Sequence, residues 1–250
     1  MTASAPNLEA GATIRNADLS GVDFTDKDLT DLVVERSQIV DVQFSGTNLQ
    51  GARFLHCRIV RCRFAHADLR EAAFEDCSFA DNEGRKGAEF AFSRLDEARF
   101  HRCDLSFAHF DRASLYAIEA ASTKLTGARF TKADFSRAFG AKVVRTQATF
   151  TSCDLELADL AGARLPGCDL SRSRLREADL TDADLEGADL RECDLFQALL
   201  GGAKLAGANL RGAEVSGLDL MALGGHRGMK ITADQQYALL TALGLDVYPD

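Results

Sequence analysis

Between residues 178 and 195 the chain reads ADLTDADLEGADLRECDL, one five-residue phrase said almost four times. Such a repeat fixes the architecture before any local pattern does. Counted from its large apolar residue, the phrase holds one frame from Leu19 to Phe79. After a break it holds again from Phe90 to Leu220, lapsing only at Ala120, Gly140 and Arg145. The residue two before each large one is nearly always small, as at Ala52, Ala67, Ala158, Ser173 and Ala183. Between residues 17 and 220 no Asp or Glu occupies either position. A period of five matches neither the 3.6 of a helix nor the 2 of a strand.

A backbone that turns a corner every five residues satisfies this pattern. Four units then close a coil, and coils stack into a solenoid whose backbone groups pair from coil to coil. The small and the large residue point inward, and the other three face water. A second period supports the geometry: Phe24, Phe44 and Phe64 are 20 apart, as are Phe90, Phe110, Phe130 and Phe150. Each set is expected to stack as an aromatic column on one inner face. Eleven of the 20 Gly lie two after the large residue, at the expected corner, where positive φ suits glycine. Ten coils at about 4.8 Å give a rod of about 45 Å.

On these residues the chain resembles the pentapeptide repeat family, whose signature is A(D/N)LXX. The resemblance implies an all-β fold, a right-handed quadrilateral β-helix of about ten coils. The expected organisation is an N-terminal extension or cap at 1–13 and repeats at 14–220 with a frame break at 80–89. A linker at 221–228 and a C-terminal helix and strand at 229–250 are expected to follow.

All seven cysteines (57, 62, 77, 103, 153, 168 and 193) fall on the small inward position. They are expected to be small buried hydrophobes rather than zinc ligands or disulfide partners. Unpaired thiols point to a reducing compartment, and MTASAPNLEAGATIRN has neither the basic start nor the apolar run of a signal peptide. A bacterial cytoplasmic location is the expectation. No nucleophile elbow, phosphate loop or paired-histidine motif occurs, and the five His are scattered. No catalytic residue, metal or cofactor is expected, and the chain reads as a binding protein rather than an enzyme.

Charge is confined to the outside. The formal net charge is −9. The first 50 residues are acidic, a basic stretch follows with Arg53, Arg58, Arg61, Arg63 and Arg70, and acids dominate again from 177 to 195. Solubility alone explains most of these charges. A narrow acidic rod also offers phosphate-like charge to a protein groove built for duplex DNA. The candidate contacts are Asp179, Asp182, Asp184, Glu186, Asp189, Glu192 and Asp194. The same charge disfavours direct binding of nucleic acid.

After Leu220 the period changes. Thr232 and Gln235 form a capping-box pair, Tyr237, Leu240 and Leu243 follow at helical spacing, and Gly244 supplies a stop. Leu245, Val247 and Tyr248 read as a short strand. Lys230, Gln236, Leu239, Leu240, Leu243 and Gly244 resemble the C-terminal module of Qnr-type, topoisomerase-protecting proteins. That likeness implies a homodimer joined end to end through Tyr237, Leu239, Leu240, Leu243, Leu245 and Val247. It also implies a type II topoisomerase, DNA gyrase, as partner, and antibiotic resistance through protection from a poison. The alternative is a scaffold whose protein partner is not a topoisomerase.

Qnr-type proteins carry two projecting loops. Here FADNEGRKGAEF is the single break in frame, and it leaves Phe90 one position out of phase with Phe79. It reads as a small bulge or short loop bearing Glu83, Arg85 and Lys86. The stretch 137–149 stays in phase and is expected to remain in the coil, with a slack column where Ala120 and Gly140 align. On that count the chain is closer to the loop-poor members.

Overall fold

The computed structural model describes residues 8–81, 83, 85–140 and 142–248. Its backbone pairing follows the five-residue frame. One parallel column runs through Asp18, Gln38, Arg58, Ser78, Asp104, Lys124, Asp154, Arg174, Asp194 and Glu214, one residue from each of ten coils. The fold is a β-helix of four-sided coils. In chain order, side one carries Ile14, side two Leu19, side three Phe24 and side four Leu29, all buried. Side one is the most regular. Its seven paired strands are Thr13–Arg15, Val33–Glu35, Arg53–Leu55, Ala73–Glu75, Arg99–His101, Ile118–Ala121 and Ala148–Thr151.

Each corner lies two residues after the inward one and is left-handed. The eleven corner glycines have positive φ, and so do non-glycine corners such as Arg36 (47°) and Asp182 (57°). A side chain in that region costs about 1–2 kcal/mol, which the ladder bonds on either side offset. The Asp of the repeated phrase helps close the corner. Through Oδ1, Asp18, Asp23 and Asp28 accept the N–H of Ser20, Thr25 and Thr30 at 3.0, 2.9 and 3.2 Å. Asp159, Asp169 and Asp179 accept in the same way from Ala161, Ser171 and Thr181. An aspartate bonded two residues on makes a local turn, so its recurrence has a structural cause that burial patterning alone misses.

The core is a file of stacked rings. Phe24, Phe44, Phe64, Phe90, Phe110 and Phe130 form one column on side three, with centroids 4.6 to 5.0 Å apart. Phe54, Phe74 and Phe100 form a second on side one. Phe150 does not continue the first column as its spacing suggested. It pairs with Ala120 on side one and meets Phe130 edge to face at 5.9 Å.

That displacement marks an insertion. Ala148–Thr151 pairs with Ile118–Ala121, a coil and a half back along the chain where a single coil is the rule. The extra half-coil of chain forms an antiparallel hairpin of Ser136–Ala138 and Val144–Thr146. Residues 137–149 therefore leave the coil over most of their length, and Gly140 is an exposed hairpin residue rather than a column partner of Ala120. The earlier break is also larger than phase implied. Ser78 pairs with Asp104 and not with position 98, so the stretch between Phe79 and Phe90 holds a whole extra period and one position more. An antiparallel bridge between Asp81 and Lys86 closes this first hairpin.

The cysteines do more than fill space. Cys57, Cys77, Cys103, Cys153 and Cys193 lie in one column of side two, interleaved with Thr123 and Ser173. Their side chains donate to carbonyls of side one in the coil below. Cys57 reaches Val34 (3.4 Å), Cys77 reaches Phe54 (3.3 Å), Thr123 reaches Phe100 (3.1 Å), Ser173 reaches Phe150 (2.6 Å) and Cys193 reaches Leu170 (3.0 Å). On sides three and four the equivalent carbonyls receive a turn N–H, as Leu49 does from Ala52 and Phe110 from Ala113. The thiol column thus satisfies buried carbonyls along side one. Burial pushes the Cys153 and Cys193 thiols up to about 12, which leaves them protonated donors. Among the described residues no group of His, Cys, Asp or Glu is arranged to hold a metal ion.

At the C-terminal end, 221–228 is not a linker. Gly224 N–H donates to Ala203 O, Leu205 N–H donates to Gly225 O, and Asn209 pairs with Lys230, so the ladder runs on. A 3-10 turn, Ala233–Gln235, and an α-helix, Gln236–Ala242, then cap the rod. Gln235 pins them there. Its Oε1 accepts the Thr232 N–H at 2.7 Å, while its Nε2 donates to Leu210 O and Ala213 O, both at 2.7 Å. Residues 245–248 form no strand in the single chain. An isolated strand has no ladder partner here, which the sequence pattern did not take into account. No helix among the described residues is long and apolar enough to cross a membrane.

Candidate partner-binding surface

The seven acids from 179 to 194 belong to a single coil and therefore ring the rod. Asp179 lies on side three, Asp182 at the next corner, Asp184 and Glu186 on side four, Asp189 on side one, Glu192 at its corner, and Asp194 on side two. They do not build one acidic face. Several have internal partners: Asp189 is paired with Arg191 at 2.6 Å, and Asp194 lies 3.6 Å from Arg176. The Arg191 side chain holds the Asp189 carboxyl below its ordinary range. Between coils, Asp159 neighbours Asp179 and Asp169 neighbours Asp189, which places like charges about 4.8 Å apart along the rod.

The basic stretch is largely neutralised. Arg61 forks onto Asp41 at 2.6 and 2.7 Å and reaches Asp81 at 3.0 Å. Arg63 meets Glu89 at 3.0 Å, and Arg70 meets Asp68 at 2.7 Å. On the first hairpin Glu83, Arg85 and Lys86 are all exposed. Arg85 and Lys86 face Arg61, Arg63 and His109 across a shallow open groove.

The C-terminal apolar residues divide. Leu239 is buried and packs on the core, so it caps the last coil and does not belong with the expected dimer contacts. Tyr237, Leu240, Leu243, Leu245 and Val247 remain exposed, Tyr237 at 62 %. A single narrow coil leaves this surplus uncovered.

The second hairpin adds a surface that phase-counting missed. Phe139, Val143 and Val144 are exposed on it, among Arg137, Lys142 and Arg145. Loss of the inward pattern at Gly140 and Arg145 was the available signal.

Charged side chains ring the rod, and the repeat itself defines the class of protein. The model for pentapeptide repeats matches residues 37–81, 86–117, 153–191 and 188–222, eight copies in all. The chain belongs to the pentapeptide repeat family. Among solved structures it is similar to a trypsin-treated variant of QnrB1, a plasmid-mediated fluoroquinolone resistance protein. The identity is 25 % and the TM-score 0.72, covering 95 % of this chain and 99 % of that one. Full-length QnrB1 matches at 24 % identity and TM-score 0.66, with 94 % and 100 % covered. No curated protein matches the chain.

Proposed function

We propose that this protein binds a type II topoisomerase, DNA gyrase, as a mimic of DNA and shields it from a poison such as a quinolone or a natural-product antibiotic. It acts by binding rather than catalysis, as a homodimer in a bacterial cytoplasm. The observation that carries this reading is the likeness to QnrB1 along nearly the whole of both chains. Three features of the chain support it. The formal charge is −9, acids occur on all four sides as phosphates surround a duplex, and the apolar C-terminal side chains are exposed where a second copy would meet them. The presence of two hairpins removes the departure that had set the chain apart from the two-looped Qnr type.

One observation favours a second reading, a scaffold with a different protein partner. The turn bonds explain the recurrent Asp without any partner.

A gyrase supercoiling assay with and without a fluoroquinolone, at micromolar protein, separates the two. Inhibition or rescue is the expected result, weakening with salt because exposed charges are screened. Neither effect at any salt would overturn the topoisomerase reading. Sedimentation tests the dimer: the wild type is expected at twice the chain mass and Leu240→Asp at one.

A further inference from the structure

The groove beside the first hairpin has a fixed floor and a fixed wall. Gln43, Arg63, Glu89 and His109 follow one another along side three in successive coils, which at about 4.8 Å a step makes a floor about 14 Å long. At the base of the hairpin the Asp81 N–H donates to Lys86 O at 2.7 Å, and the Lys86 N–H donates to Asp81 O at 3.1 Å. Arg61 ties that base to the rod, reaching Asp81 at 3.0 Å while it forks onto Asp41. The returning chain is pressed close. A Cβ at Gly87 would overlap the Phe107 carbonyl and the Ala108 nitrogen, so glycine alone fits there. Lys86, one residue earlier, is thereby set across from Arg63 and His109.

The groove is basic on an acidic molecule. The chain carries −9, yet Arg61, Arg63, Arg85 and Lys86 line this concavity against Asp41 and Glu89. Glu83 sits on the same turn but does not line it. Arg61 is satisfied by its two carboxylates. Arg63 uses only Nε on Glu89, at 3.0 Å, so its terminal amino groups still have N–H donors to offer. Arg85 and Lys86 are exposed, and neither forms an ion pair among the described residues. Donors from the hairpin and from the rod thus face one space.

We propose that this groove binds a small phosphorylated anion, held by Arg63 from the rod and by Arg85 and Lys86 from the hairpin. A phosphate group carries close to two negative charges near neutral pH and three oxygens that accept hydrogen bonds. It matches two unpaired cations and donors arriving from two walls, and Arg and Lys bond such oxygens strongly. A carboxylate has one charge and two coplanar oxygens, which leaves one wall unanswered. A duplex brings the same phosphates but is repelled by the acids around the rod. The site stands apart from the topoisomerase reading and needs no partner protein.

Inorganic pyrophosphate, titrated calorimetrically into the full chain, is the probe. A single equivalent per chain is expected to bind, and to bind more weakly as salt screens the groove. Arg85→Gln with Lys86→Gln is expected to weaken binding about tenfold or more. Lys204→Gln, which removes an exposed cation on side four, is expected to leave it unchanged. Gly87→Ala alters no charge and is expected to weaken binding by moving the hairpin off the rod. The β spectrum is expected to be kept in every variant. Succinate is the carboxylate control, expected to bind about tenfold more weakly than pyrophosphate or worse. A wild type that does not bind pyrophosphate overturns the site, and so does equal affinity in the Lys204 variant and the double variant. Full affinity in Gly87→Ala overturns the fixed wall, and equal affinity for succinate overturns the phosphate assignment. None of these results bears on the gyrase assay, so the two readings fail separately.

Discussion

Phe150 stands opposite Ala120, and not above Phe130 where an uninterrupted coil would place it. The larger ring lies over the smaller side chain, and the hairpin takes up the difference in chain length. Removing Arg137–Thr146 brings Phe150 one regular step after Phe135 and restores the frame. The shortened chain is expected to fold with the same β spectrum and a similar melting temperature, with Tyr116 newly exposed to solvent quenching. A chain that no longer folds would mean that the hairpin is part of the solenoid's support.

Phe110 stacks between Phe90 and Phe130, with centroids 5.0 Å away on either side. Phe110→Ala opens a cavity in a fully packed column and is expected to cost about 3–5 kcal/mol in chemical denaturation. Asp182→Asn, at an exposed left-handed corner that Asn tolerates, is expected to change stability little. Similar losses in the two variants would contradict the inward assignment.

Gln235 replaces an eleventh coil at the corner where it docks, since its amide supplies the donors that Leu210 O and Ala213 O would otherwise find in the next ladder. Gln235→Leu removes the donor to Ala213 O, at about 1–3 kcal/mol, and leaves Leu210 O only the Ala213 N–H at 2.9 Å. Amide exchange is expected to accelerate across 231–243 while the central coils stay protected. Uniform acceleration along the rod would show that the cap is not a local unit.

Three acids of the first coil titrate with the fold. The Ser20 hydroxyl and N–H hold the Asp18 carboxyl below the ordinary range, and Thr30 does the same for Asp28. At Asp23 the Thr25 N–H has the larger effect and its hydroxyl the smaller. A depressed folded pKa stabilises above the unfolded value of about 3.9, and the stabilisation is lost as pH falls through the folded one. The N-terminal coils are therefore expected to loosen as pH falls below about 4. Asn accepts the same turn bond, so Asp→Asn at 18, 23 and 28 together should keep the fold and flatten this part of the pH profile. Thermal melts across that range check it.

The frame, the inward residues and the left-handed corner were legible because each is repeated in every coil. The hairpins were not, for an arithmetical reason. The second insertion is two whole periods long, so Phe150 kept its phase and counting passed over it. The first is one period and one position over, so it appeared only as a slip of one. The turn bonds of Asp and the thiol donors were hidden because polarity was read only as exposure. The acids from 179 to 194 looked contiguous in sequence, but four repeats make one circuit, so neighbours in the chain face different ways. At the C-terminus the helix was visible from its cap and spacing. Leu239 could not be told from Leu240 without knowing which way the last coil faced.

The left-handed corners have a consequence for how such a chain changes over time. Each corner closes its own turn and leaves the ladder on either side in register, as pairing resumes intact beyond both hairpins. Segments can therefore be spliced in at a corner without renegotiating the rest of the rod. The coils act as a rail of fixed gauge, and novelty enters at its edges.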